Sequence, residues 1–142
     1  MPITPAEVFQ HYIDAWNNHD AAGIVATFAE RGTYTDPTTQ GSLTGTAISA
    51  YAQSLWDAFP DLSFETMSLI QNDQGLVSAE WLMKGTNTGP MMGLPPTGRS
   101  IAIAGADFAR IEGGKILSLQ GYFDAGAVPS ALGLTSSCSP RR

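Results

Sequence analysis

The chain predicts an α+β domain in which N-terminal helices pack on a curved antiparallel sheet and enclose one pocket. Three observations carry this. Apolar residues recur at helical spacing through the first third of the chain, and alternating apolar runs separated by turn residues fill the rest. A hydrophobic content of 43% over 142 residues also supplies one core that needs neither disulfide nor metal staples. The expected organisation is a single domain over residues 1–134 followed by a loose tail, 135–142.

The first helix is expected to open at Thr4-Pro5-Ala6-Glu7, which offers an N-cap, a proline at the first helical position and an acid at the capping-box position. It runs to about Asn18. Val8, Tyr12, Ala15 and Trp16 share one face of it, so Tyr12 points inward. Asp20 caps a second, short helix that carries Ile24, Val25 and Phe28, and a brief strand, Thr33-Tyr34-Thr35, ends at Asp36-Pro37. Gly45 or Thr46 then opens a third helix with Ile48, Tyr51, Leu55, Trp56 and Phe59, closed by Pro60-Asp61. Four strands follow as a meander, 62–71, 76–86, 100–112 and 115–124, with turns at 72–75 and Gly113-Gly114. Residues 128–134 read as a short helical cap. The glycine- and proline-rich stretch inside 85–98 is apolar and placed to fold over the pocket mouth.

One residue breaks the strand pattern. Asp107 falls on the same face as Ile101, Ile103, Ala109 and Ile111, where a core side chain belongs. An unpaired buried carboxylate is costly enough that the group holds its proton instead, and a neutral carboxylic acid is a hydrogen-bond donor. The alternative is structural, a pairing of Asp107 with Arg110 or a cap on a backbone gap. Asp36, taken alone, is a turn residue before proline, and Tyr12 alone is a helix-core tyrosine.

Composition narrows the function. A net charge of −6 with only 7 Lys+Arg leaves no basic stripe for phosphates, so neither nucleic acid nor an anionic membrane surface is an expected partner. Cys138, the single cysteine, cannot form an internal disulfide. The N-terminus lacks a signal-like pattern and no apolar stretch reaches membrane-spanning length, which gives a cytoplasmic protein as the expectation. No cluster of His, Cys, Asp and Glu has metal-ligand spacing, so neither a metal nor an organic cofactor is expected.

The order of elements resembles the NTF2-like (cystatin-like) superfamily, which includes ketosteroid isomerases, SnoaL-type polyketide cyclases and limonene-epoxide hydrolases. Residues 11–29 and Tyr34-Thr35-Asp36-Pro37 resemble the isomerase N-terminal half. Gly85-Thr86-Asn87-Thr88-Gly89, 93–98 and Tyr122-Phe123-Asp124 with Leu132-Gly133 resemble SnoaL-like proteins. The resemblance implies that Leu119, Gly121 and Phe123 line the pocket while Tyr122 and Asp124 face outward. Trp16, Tyr34, Tyr51, Trp56, Phe59, Trp81, Met83 and Met92 are read as pocket wall, which suits an apolar ligand.

Three chemistries compete for this pocket. Epoxide hydrolases of the group use an arginine and two aspartates, but the matching positions here are Trp81, Met83 and Gly121, none of which transfers a proton. SnoaL-type cyclases use an aspartate and a histidine, matched here by Gly121 and Asp107. Ketosteroid isomerases use a tyrosine and two aspartates, and all three have counterparts in Tyr12, Asp36 and Asp107. The resemblance then implies that Asp36 is the general base, while Tyr12 and a protonated Asp107 hold the dienolate oxygen. Tyr51 is similar to a second tyrosine that bonds the first. The expected function is thus cofactor-free enolisation and double-bond shift on a hydrophobic ketone by a homodimer. The alternatives are a SnoaL-like aldol cyclase built on Asp36 and Asp107, with a polyketide-like substrate, and a non-catalytic binder of small apolar ligands.

Overall fold

A computed structural model describes residues 3–91 and 93–134. Helix α1 (Pro5–Asn17) starts at the expected capping box: the Glu7 N–H donates to Thr4 Oγ1 at 3.1 Å and the Thr4 N–H to Glu7 Oε1 at 2.8 Å. It buries Val8, Phe9, Tyr12, Ile13, Ala15 and Trp16, an apolar face wide enough to cover a sheet. Helix α2 (Ala21–Ala26) is capped by Asp20, and α3 (Thr46–Ala58) follows Gly45.

The strands are β1 (Phe28–Thr35), β2 (Ser63–Gln71), β3 (Leu76–Thr86), β4 (Ser100–Glu112) and β5 (Lys115–Phe123), in the order β1-β5-β4-β3-β2. A short helix, α4 (Ala127–Ala131), closes one end of the cone. Strands β2 to β5 are an antiparallel meander. Gly113 and Gly114, both at positive φ, make the two-residue turn that sets Glu112 opposite Lys115.

Three expectations are corrected. The sheet is not wholly antiparallel, because β1 pairs parallel to β5. Hairpins dictate antiparallel neighbours from β2 onward, whereas no tight turn links β1 to β5. Phe28 belongs to β1 rather than to α2, and β1 is eight residues long rather than three. A register irregularity between Phe28 and Thr33 erases the period-two signal there. Gly32 allows the close approach, since a Cβ on it would lie 2.5 Å from the Ile116 carbonyl oxygen.

Helices cover one sheet face. Along β4, Ile101, Ile103, Asp107, Ala109 and Ile111 are buried on that side, as the alternation requires. Trp16, Phe64 and Trp81 continue the core as edge-on aromatic contacts with ring centroids 5.3 Å apart at each step. The opposite face stays open and presents Phe108 (53% exposed) and Tyr122 (55%), in edge contact with one another, beside Ile70 and Leu76.

Candidate active site

Between α1, α3 and the inner sheet face lies a cavity of about 700 Å³. Most of its wall is apolar, and the polar groups gather where the end of β1 meets the middle of β4 and β5. Among the residues expected there, Tyr12, Trp16, Tyr34, Asp36, Tyr51, Phe59, Trp81, Met83, Asp107, Gly121 and Phe123 line the cavity. Trp56 and Leu119 do not. Trp56 points to the core side of α3, where its indole stacks on His19 at 4.9 Å and meets Trp16 edge-on at 5.7 Å. Leu119 shares a face with Gly121 and Phe123 but sits in the closed part of the core. Met92 falls outside the described residues, as does the 135–142 tail.

Asp36 is 3% exposed and is held from four directions. The Tyr34 hydroxyl donates to Oδ2 at 2.6 Å and the Tyr51 hydroxyl to the same atom at 2.5 Å. Oδ1 accepts the Thr38 N–H and the Thr38 hydroxyl, each at 2.7 Å. The local sequence builds this cradle. Strand periodicity puts Tyr34 and Asp36 on one face, the Asp-Pro-Thr turn folds Thr38 back onto the acid, and α3 delivers Tyr51 from the opposite side. Two phenol hydroxyls, a threonine hydroxyl and a backbone N–H thus occupy the lone-pair directions of both oxygens. Tyr51 therefore serves Asp36 and not Tyr12, which corrects the expected tyrosine pair. Burial is the main reason that both phenols keep their protons: it raises Tyr34 and Tyr51 well above the ordinary tyrosine value, helped at Tyr51 by the charge of Asp36.

Asp107 is the opposite case. It is 5% exposed, pairs across the sheet with Ala79 and Gly121, and does not meet Arg110, which points to the outer face. Burial pushes its carboxyl up from 3.8 to about 7; the Trp81 indole pulls it slightly back, and the charge of Asp36 adds to the rise. Trp81 Nε1 approaches without reaching hydrogen-bond geometry and stays unpaired. Gly121 is the floor between the two acids. A Cβ there would sit 3.0 Å from Asp107 Oδ1 and 3.4 Å from Asp36 Cβ.

Tyr12 completes the polar end. Its hydroxyl is held well above the ordinary tyrosine value, first by burial and then by Asp107, with Trp16 beside it easing the rise. The Trp81 wall depends on Gly105, its cross-strand partner: a Cβ on that glycine would lie 2.3 Å from Trp81 Cη2.

Sequence reasoning missed several lining residues, among them Ile13, Thr38, Ser54, Leu55 and Phe64. Thr38 carried a readable signal, the Asx-turn pattern after Asp36. Also missed was Asn87, a buried residue that fastens the 87–99 loop over the cavity. Its Nδ2 donates to the carbonyls of Ala58 (3.1 Å) and Gly89 (2.9 Å), and its Oδ1 accepts from the Thr97 N–H and hydroxyl, both at 2.9 Å. Pro90, Met91 and Gly93 of the fastened loop then line the mouth, as the loop's composition led one to expect.

Among the described residues no group of three or more His, Cys, Asp and Glu side chains is placed to hold a metal ion. No helix among them is long and apolar enough to cross a membrane.

An N-terminal helical layer on a curved five-stranded sheet, with acids and phenols inside the cone, defines an NTF2-like protein. Within that class the chain belongs to the SnoaL-like polyketide cyclase family, whose sequence model matches residues 6–131. It is similar in structure to IdmH of Streptomyces antibioticus, provisionally assigned as a polyketide cyclase (TM-score 0.81, 22% identity, 92% of this chain and 99% of that one). It is also similar to a protein of Catenulispora acidiphila with a ketosteroid isomerase-like fold, solved in complex with trimethylamine (0.80, 22%, 97% and 100%). AclR of Streptomyces galilaeus, provisionally a hydroxylase, is a third (0.80, 20%, 93% and 86%). Comparison with curated proteins finds no match.

Proposed function

We propose that the protein is a cofactor-free acid/base enzyme that enolises a hydrophobic, polyketide-like ketone, with Tyr12, Asp36 and Asp107 as its reacting set. The observation that supports this is the pair of carboxyls on either side of Gly121, one ringed by donors and the other unpartnered, at the polar end of an apolar cavity. Removing a proton next to a carbonyl is slow because charge develops on oxygen, so a donor aimed at that oxygen carries much of the rate. Tyr12 supplies that donor. The enolate then has two fates within the same cavity: reprotonation at a conjugated carbon, an isomerase-like double-bond shift, or attack on a second carbonyl, the aldol closure that the family name implies.

The open face bearing Phe108 and Tyr122 supports a homodimer formed through the outer sheet surface. Incubation with a β,γ-unsaturated ketosteroid, followed by conjugated-enone absorbance, tests the isomerase outcome; mass-neutral loss of a carbonyl from a poly-β-ketone tests the cyclase outcome. Exchange of α-protons for deuterium in 2-tetralone tests the enolisation common to both. Binding of these ketones with no exchange and no product would make the protein a carrier and end the proposal.

A further inference from the structure

We propose that Asp107, rather than Asp36, moves the proton, and that Tyr34 and Tyr51 are positioning residues that hold Asp36 as a fixed anion beside it. This rests on the enolisation reading and assigns the roles within it. Geometry separates the two acids. A carboxylate offers about four lone-pair directions, and all of those on Asp36 are spent on Tyr34, Tyr51 and the two groups of Thr38. Contacts of 2.5–2.7 Å from neutral donors to an anion are the strong kind, so to accept a proton from carbon Asp36 would first give one up. Its orientation is fixed as well, because donors grip both oxygens from β1, the following turn and α3.

Asp107 has none of these ties. The donor beside its carboxyl is the Trp81 indole N–H, which stands outside hydrogen-bond geometry, and Oδ1 borders the space above Gly121. Its titration in the neutral range, raised by burial and by the neighbouring anion, suits a group that must both take and return a proton. Besides Asp36, the titratable groups facing it are Tyr12 from α1 and, beyond Asp36, Tyr34 and Tyr51. Gly121 fits the same arrangement. A side chain at that position would press on Asp107 Oδ1 at 3.0 Å, so the glycine leaves the space there to Asp107.

The step balances within the cavity. The Asp107 carboxylate takes the α-proton, the C–H pair becomes the enolate π bond, and the carbonyl pair moves to an oxygen held by the Tyr12 hydroxyl. The same proton then returns from Asp107 to carbon in isomerisation, or to the new alkoxide oxygen in aldol closure.

The direction of the pH dependence separates the two assignments. Exchange of 2-tetralone α-protons in D₂O, followed by NMR from pH 5 to 9, should rise to a plateau with a midpoint near 7, because the active form of Asp107 is the carboxylate. Asp107→Asn should lower exchange at least about 100-fold and remove the rising limb. Asp36→Asn should retain the rising limb and move its midpoint down, since the anion that raises Asp107 is gone. Tyr51→Phe should move it up, since that anion loses a donor that disperses its charge. A purely structural role for either residue would change the amount of active protein but not the midpoint. Exchange that falls above pH 7 and disappears in Asp36→Asn would overturn the proposal and restore Asp36 as base with Asp107 as neutral donor. No exchange by the wild type, at ketone concentrations that quench tryptophan fluorescence, would instead remove the enolisation reading and this assignment with it.

Discussion

Asp107 makes stability itself depend on pH, with a sign that can be worked out in advance. The group binds its proton up to about pH 7 in the folded chain and only to about 3.8 when unfolded. Between those values the native state holds more protons than the unfolded state, so stability falls as pH rises through the interval and the full penalty is present above pH 7. A shift of about three units corresponds to about 4 kcal/mol at most, a large part of the reserve of a domain this size. Asp107→Asn keeps the shape and discards the charge. Urea unfolding of both proteins at half-unit steps from pH 4 to 8.5 should show similar stabilities at the acid end. A difference should then grow in favour of the variant, reaching up to about 4 kcal/mol by pH 8. The comparison cancels the titrating groups that do not interact with Asp107. A difference that stays flat within about 0.5 kcal/mol across the range, or that grows in favour of the wild type, would refute the buried, unpaired acid.

Three further outcomes follow from the packing. Gly105→Ala places a methyl 2.3 Å from Trp81 Cη2, and the ring cannot yield without leaving the cavity wall; a loss of about 1–3 kcal/mol in thermal or urea unfolding is expected, with weaker ketone binding. Asn87→Ala strips four hydrogen bonds and leaves the Ala58 and Gly89 carbonyls without that partner, so about 2–4 kcal/mol of stability should go and proteolysis should begin within 87–99. Phe108→Asp puts a charge in the centre of the open sheet face; if the proposed homodimer forms there, the variant should sediment as a monomer while thermal unfolding at low concentration changes little. A monomeric wild type, or a variant that sediments like a dimeric one, would refute the proposed contact.

What the sequence determined by itself was whatever local chemistry encodes. The capping box at Thr4 and Glu7, the apolar stripe of α1, the Gly113-Gly114 hairpin and the alternation that placed Asp107 inward all lie within a few residues of chain, where helix and strand periods speak directly. Tyr12, Asp36 and Asp107 were singled out with the help of family resemblance, and they do share one cavity. Only the tertiary structure decided what those groups meet. That Tyr51 reaches Asp36, fifteen positions earlier, that Trp56 turns into the core beside His19, and that β1 joins β5 in parallel depend on how α3 and the meander dock. The difference between the two acids is of this kind as well. Each is an aspartate near strand residues in the sequence, but one is ringed by donors brought together from β1, a turn and α3, while the other faces Gly121 with no partner. A carboxyl's character is set by the groups within a few ångströms of it, and those come from segments far apart in the chain.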